Sequence, residues 1–122
     1  MNYHDKHIAV FGASEDPSKY GYKILTELAA NGLHVYCINP KGGHIKGNTF
    51  FACLADVPAE VDVAIMVVPP AALPGVVEQC ITAGVREIWF QPGARSESAY
   101  QTAQQAGIKV INGCFMAENG FW

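Results

Sequence analysis

Cys114, Lys41, Gln91 and the turn Gly12-Ala13-Ser14 are the positions of this 122-residue chain whose residue types could do chemistry. Cys114 follows an apolar run in "NGCFMAE", where a thiolate would be a nucleophile and a buried thiol would be a small hydrophobe. Cys37, Cys53 and Cys80 are scattered, with no CxxC pair, and read as reduced thiols of a cytoplasmic protein. His4, His7, His34 and His44 have no metal-ligand spacing. Glu15 and Asp16 are chain neighbours in a loop rather than a spaced acid/base pair. Neither a metal centre nor a catalytic constellation is expected, and the chemistry on offer is binding.

The stretch "HIAVFGASEDPSKYGYKIL", His7 to Leu25, runs from an apolar strand through a small-residue turn into a helix. Gly12 permits the sharp turn, Ala13 and Ser14 keep the backbone approachable, and the helix beyond offers unpaired N–H groups and a positive dipole end to an anion. Lys19 closes this segment and is counted with it. The plainer reading is that Gly12 only lets the strand pack on the helix. The dinucleotide fingerprint G-x-G-x-x-G is absent, since the next glycine after Gly12 is Gly21.

The second apolar run ends in "INPKGG", where an NAD site would carry an acid for the ribose hydroxyls. Here Asn39 can bond a ribose or an adenine edge, Pro40 stiffens the turn, and Lys41 can neutralise a phosphate on the ribose. NADP and coenzyme A are the common nucleotides with that phosphate, and a solvated lysine is the alternative. The third run ends in Val68-Pro69-Pro70, a stiff wall without donors at either proline, suited to an adenine or a pantetheine arm. The fourth ends in Gln91-Pro92-Gly93, a turn whose glutamine could bond a pantetheine amide; Arg95 reads as a surface charge.

The elements that must hold these residues follow from the pattern. Short apolar runs at Ile8–Phe11, Val35–Ile38, Val63–Val68, Glu87–Phe90 and Ile108–Ile111 predict five strands buried on both faces. Helical periodicity predicts helices over about Lys19–Ala30, with Ser18 as N-cap, over Leu73–Ala83, ending at Gly84, and over Glu97–Ala106, starting after Ser96. "TFFACL" is expected as an edge strand or strap. The order implies an α/β, doubly wound, mainly parallel five-stranded sheet with helices on both faces, one domain over residues 1–122, and ligands at the carboxyl ends of the strands. Half of the residues are apolar, 16% are charged and the net charge is -3, so no nucleic-acid or membrane partner is expected.

The motifs "VFGAS", "INPKGGHIKG", "LADVPAEVDVAIMVVPP", "GVREIWFQPGARSE" and "AGIKVINGCFMAE" resemble the small stand-alone coenzyme A-binding proteins, which are similar to the nucleotide-binding domain of the succinyl-CoA synthetase α subunit. The resemblance runs from about His7 to Glu118. It implies a Rossmann-like sheet holding coenzyme A or an acyl-CoA, with Gly12, Ala13 and Ser14 at the pyrophosphate and Asn39, Pro40 and Lys41 at the adenosine and ribose phosphate. It also implies Val68 and Pro69 as the adenine-side wall and Gln91, Pro92 and Gly93 beside the pantetheine, with Cys114 matching a cysteine of the closing motif. The chain departs from the pattern in placing Glu15 and Asp16 beside the expected phosphates and in ending "NGFW", an apolar tail expected to fold onto the domain or onto a partner, a second copy included.

The domains that complete a synthetase do not fit in 122 residues, so the expectation is a non-catalytic binding module, acting as carrier, sensor or subunit. An NADP-binding reductase-type domain, or an interaction protein with a vestigial nucleotide pocket, are the alternatives.

Overall fold

A computed structural model describes residues 3–45 and 48–122; Lys46 and Gly47 of the "INPKGGHIKG" motif lie outside the described residues. Five parallel strands form the sheet: β1 (His7–Phe11), β2 (His34–Ile38), β5 (Val63–Met66), β6 (Glu87–Phe90) and β7 (Lys109–Asn112), in the order β2-β1-β5-β6-β7. β3 (His44–Ile45) and β4 (Asn48–Thr49) make a small antiparallel pair outside it. The helices are α1 (Tyr20–Ala30), α2 (Leu73–Ala83), α3 (Glu97–Gln105) and α4 (Phe115–Glu118). The sheet and the three long helices stand where hydrophobic periodicity predicts them.

Strand residues point alternately into two cores, which is why the runs carry no polar face. Ile8, Val10, Val63, Ile65 and Trp89 pack with Ile24, Leu25 and Leu28 of α1 and Phe115 and Met116 of α4. Ala9, Phe11, Ala64, Met66, Ile88 and Phe90 pack with Leu73, Val77 and Cys80 of α2 and Ala99 and Ala103 of α3. Helices therefore cover both faces.

Local signals set most of the helix ends. Gly84 takes φ +75° and closes α2, and the Ser96 hydroxyl accepts from the Ala99 N–H at the start of α3. Ser18 does not cap α1, contrary to expectation. Its N–H and hydroxyl both donate to Asp16 Oδ1, at 2.9 and 2.8 Å, and the helix begins after Lys19 without a side-chain cap. Beyond Thr49, which ends β4, the "TFFACL" segment is a strap joined to β2 by one parallel bridge, Phe51 to Ile38. The tail folds onto the domain: Phe121 stacks on Phe115 with ring centroids 6.1 Å apart, and Trp122 lies 5.2 Å from Tyr20 while remaining half exposed.

One buried carboxylate ties the amino-terminal segment to the sheet. Tyr3 Oη and Trp89 Nε1 both donate to Glu87 Oε2, at 2.6 and 2.8 Å, and Lys109 Nζ stands 3.7 Å from the other oxygen. Two donors and a cation offset the cost of burying the charge.

Burial also makes stability depend on pH at the alkaline end. It pushes the Cys37 and Cys80 thiols from 9.0 up to about 12. A raised folded-state value favours the protonated form, so the stability it supplies is complete below pH 9 and is lost as pH rises toward 12. Thermal melts are expected to hold level from pH 7 to 8.5 and fall steadily above about pH 9, near the ordinary thiol value. Cys80→Ala is expected to melt lower at pH 7 and to show a shallower alkaline decline; an unchanged slope would count against the thiol as a source.

Candidate functional site

The chain moves outward from β1 to β2, then crosses back to β5, so the carboxyl ends of β1 and β5 part with no connection filling the space above them. A cleft of about 500 Å³ opens there. Gly12 forms its floor. Its φ is +92°, and a Cβ at this position would run into the Val67 carbonyl of the neighbouring strand end. Gly21, in the first turn of α1, is equally constrained, because a Cβ there would strike the Gly12 carbonyl. The helix thus abuts the turn directly. In the dinucleotide fingerprint a third glycine allows this close packing; here Gly21 does so, nine positions after Gly12. The spacing was visible in the chain, but the close contact that gives Gly21 its role was not.

Above this floor the N–H groups of Ala13, Ser14 and Glu15 make no hydrogen bond to the backbone of the described residues. The first turn of α1 adds its own unpaired donors and the positive end of its dipole. The two acids of the turn point elsewhere. Glu15 Oε2 accepts from the His44 N–H at 3.1 Å, and the side chain lies so close to Gly43 that a Cβ there would come within 2.9 Å of Glu15 Cδ. Asp16 is bound to the N–H and hydroxyl of Ser18, and these bonds hold its carboxyl below the usual range. Glu15 therefore pins the glycine loop and Asp16 shapes its own turn.

Asn39 has a more structural part than a nucleotide-edge reader. Its Nδ2 donates to the Ala13 carbonyl at 2.8 Å, and its Oδ1 accepts from the Lys41 N–H at 2.9 Å, so one amide binds the first two loops together. Pro40, Lys19 and Ser14 line the cleft beside it. Lys41 is exposed at the rim, outside the lining. Val68 and Pro69 make the expected apolar wall, continued by Ala72 and Val76. Tyr20 and Gln79 also line the cleft and were not anticipated: Tyr20 reads in sequence as an ordinary helix residue, and Gln79 is reached only through the fold. Gln79 Oε1 accepts from the Leu54 N–H at 2.9 Å and holds the strap against α2.

Gln91, Pro92, Gly93 and Cys114 do not line this cleft; they sit on the ends of β6 and β7. Gln91 stands at the strand tip, directly after β6, where the sequence places it. It is completely buried, its Oε1 accepts from the Phe115 N–H at 2.8 Å, and its Nε2 has no hydrogen-bond partner among the described residues. Arg95 folds back so that Nε donates to the Phe90 carbonyl at 3.3 Å. Cys114 Sγ stands 3.3 Å from Tyr20 Oη and accepts from the Ala117 N–H at 3.5 Å. Burial opposes ionisation of this thiol, but Tyr20, the Ala117 N–H, the Gln91 amide and the Met116 N–H outweigh it and hold the thiol below its usual range. Burial, with the sulfur second, pushes the Tyr20 hydroxyl up to about 12. The two shifts are opposed, so the thiol ionises before the phenol.

Comparison with known proteins agrees with this fold. The α subunit of ADP-forming acetate–CoA ligase I from Pyrococcus furiosus is 31% identical, the match covering 89% of this chain and 27% of that subunit. The chain thus spans about a quarter of this relative's length. A conserved hypothetical protein from the same organism has a solved structure that superposes with a TM-score of 0.85 at 37% identity, covering 93% of this chain and 98% of that one. The dinucleotide-forming acetyl-coenzyme A synthetase 1 of Candidatus Korarchaeum cryptofilum, solved with phosphate and ADP, superposes with a TM-score of 0.79 at 34% identity over 91% of this chain and 26% of its own. The CoA binding domain model matches residues 6–120, nearly the whole described sheet and its cleft. On that match and this architecture, the chain belongs to the family of CoA binding domains.

Proposed function

We propose that this chain binds coenzyme A or an acyl-CoA in the β1/β5 cleft as a non-catalytic module, serving as a cytoplasmic carrier, sensor or binding subunit. The observation that carries the reading is the turn at the cleft floor, where Gly12 and Gly21 let turn and helix pack backbone to backbone and the Ala13, Ser14 and Glu15 N–H groups have no backbone partner among the described residues. Its donors suit a pyrophosphate. Val68 and Pro69 offer an apolar wall to a base, and Lys41 at the rim suits a phosphate on the ribose. No described helix is long and apolar enough to cross a membrane.

Thermal shift with coenzyme A, dephospho-coenzyme A, NADP and NAD tests this. The largest shift is expected with coenzyme A. Lys41→Glu is expected to weaken coenzyme A by about tenfold, a change of about 1.4 kcal/mol, and to leave dephospho-coenzyme A nearly unchanged. Equal shifts with NADP would favour the reductase-type reading, and no shift with any of the four would favour an interaction protein.

A further inference from the structure

Cys114 and Gln91, both outside the cleft lining, form with Tyr20 a cluster that non-covalent binding does not require. Three elements bring them together: Tyr20 opens α1, Gln91 follows β6 and Cys114 follows β7. Tyr20 joins the cluster to the cleft, since the same residue lines the cleft and brings its hydroxyl within 3.3 Å of the Cys114 sulfur.

The Gln91 amide is the second, independent observation. Its Nε2 is completely buried and has no hydrogen-bond partner among the described residues. Its Oε1 accepts from the Phe115 N–H at 2.8 Å, which fixes the amide against the residue that follows Cys114. A neutral thiol is a weak acceptor, and an anionic sulfur is a strong one. A tyrosine hydroxyl and the Ala117 N–H at the sulfur, with an orphan donor on the amide that holds the next residue, form a setting that favours a thiolate there.

The other thiols lack this setting. Cys37 and Cys80 are buried in the two cores, and Cys53 donates to Asp56 Oδ2 at 3.4 Å on the strap side of the domain.

We propose, resting on the coenzyme A reading above, that Cys114 is a thiol-exchange site at which a disulfide of the pantetheine-tipped ligand is captured as a mixed disulfide. The Cys114 thiolate attacks one sulfur of the incoming disulfide, whose S–S bond breaks as the new one forms. The released half leaves as a thiolate and takes a proton from solvent. Cys114 is oxidised, the departing half is reduced, and the incoming disulfide is the only oxidant needed. Excess free thiol reverses the step.

The test is intact mass and peptide mapping of reduced protein exposed to coenzyme A disulfide, with glutathione disulfide in parallel at the same concentration. One coenzyme A is expected on Cys114, forming about tenfold or more faster than the glutathione adduct, because binding in the cleft raises the local concentration of the disulfide. Cys114→Ser is expected to abolish the adduct and Cys53→Ser to leave it intact. Tyr20→Phe is expected to slow it and move the midpoint of its pH–rate profile upward. Equal rates with the two disulfides, or attachment at Cys53, would overturn the proposal. So would a missing adduct on protein that still shifts its melting temperature with coenzyme A in reducing buffer, an outcome that leaves the binding reading standing. Absence of that shift overturns both.

Discussion

Gly21→Ala is expected to lower the melting temperature by about 5 °C or more and to remove the thermal shift given by coenzyme A. The added methyl would enter the space held by the Gly12 carbonyl and would also lie 3.2 Å from the Ala13 Cα. Both neighbours are backbone, so no rotamer can make room. Either α1 moves away from the sheet, opening the core around Ile24 and Leu25, or the turn deforms and its N–H groups lose their common direction. Overpacking of this kind costs about 1–3 kcal/mol, which exceeds the gain of about 1 kcal/mol from replacing glycine by alanine in a helix. Gly75→Ala is the control. Gly75 lies in the first turn of α2 with nothing near the position of its missing Cβ, and the substitution is expected to hold or raise the melting temperature. Similar melting temperatures for the two variants would mean that Gly21 does not set the approach of helix and turn.

The second large effect is expected at Asn39. Asn39→Asp preserves an acceptor for the Lys41 N–H but replaces the donor to the Ala13 carbonyl with a carboxylate oxygen, turning a 2.8 Å hydrogen bond into a repulsion. The same change puts a negative charge between the first and second loops, beside the donors assigned to a pyrophosphate. Loss of the bond and the partly buried contact is expected to cost about 1–3 kcal/mol of stability. The added charge is expected to weaken coenzyme A by about 100-fold or more, measured by calorimetry, on the scale of about 1.4 kcal/mol per tenfold change. Asn39→Ala removes both hydrogen bonds without adding charge and is expected to bind more tightly than the aspartate variant. The reverse order would show that Asn39 acts only by joining the loops.

The strands and long helices were legible because burial on both faces leaves a direct mark on composition: runs such as Ile8–Phe11 and Val63–Met66 have no polar face to hide. The turn Gly12-Ala13-Ser14 and the wall Val68-Pro69 were legible for a related reason, since a sharp turn and a donor-free segment each require particular residue types. The backbone partners of Asn39, Glu15 and Gln91 were not legible. A polar side chain can face a ligand or a backbone group with equal ease, and the choice depends on loops far apart in sequence: Asn39 meets Ala13 and Gln91 meets Phe115.

By itself, then, the order of apolar runs and turn residues determined a doubly wound sheet, and the recurring motifs at its strand ends pointed to a CoA binding domain. Tertiary structure alone decided that Gly21 touches Gly12, that Glu15 turns to the glycine loop and that Tyr20 shares a hydrogen bond with Cys114, 94 positions away. Periodicity records which face of an element is buried, whereas contacts between strand ends depend on how separate elements pack, which no local pattern encodes.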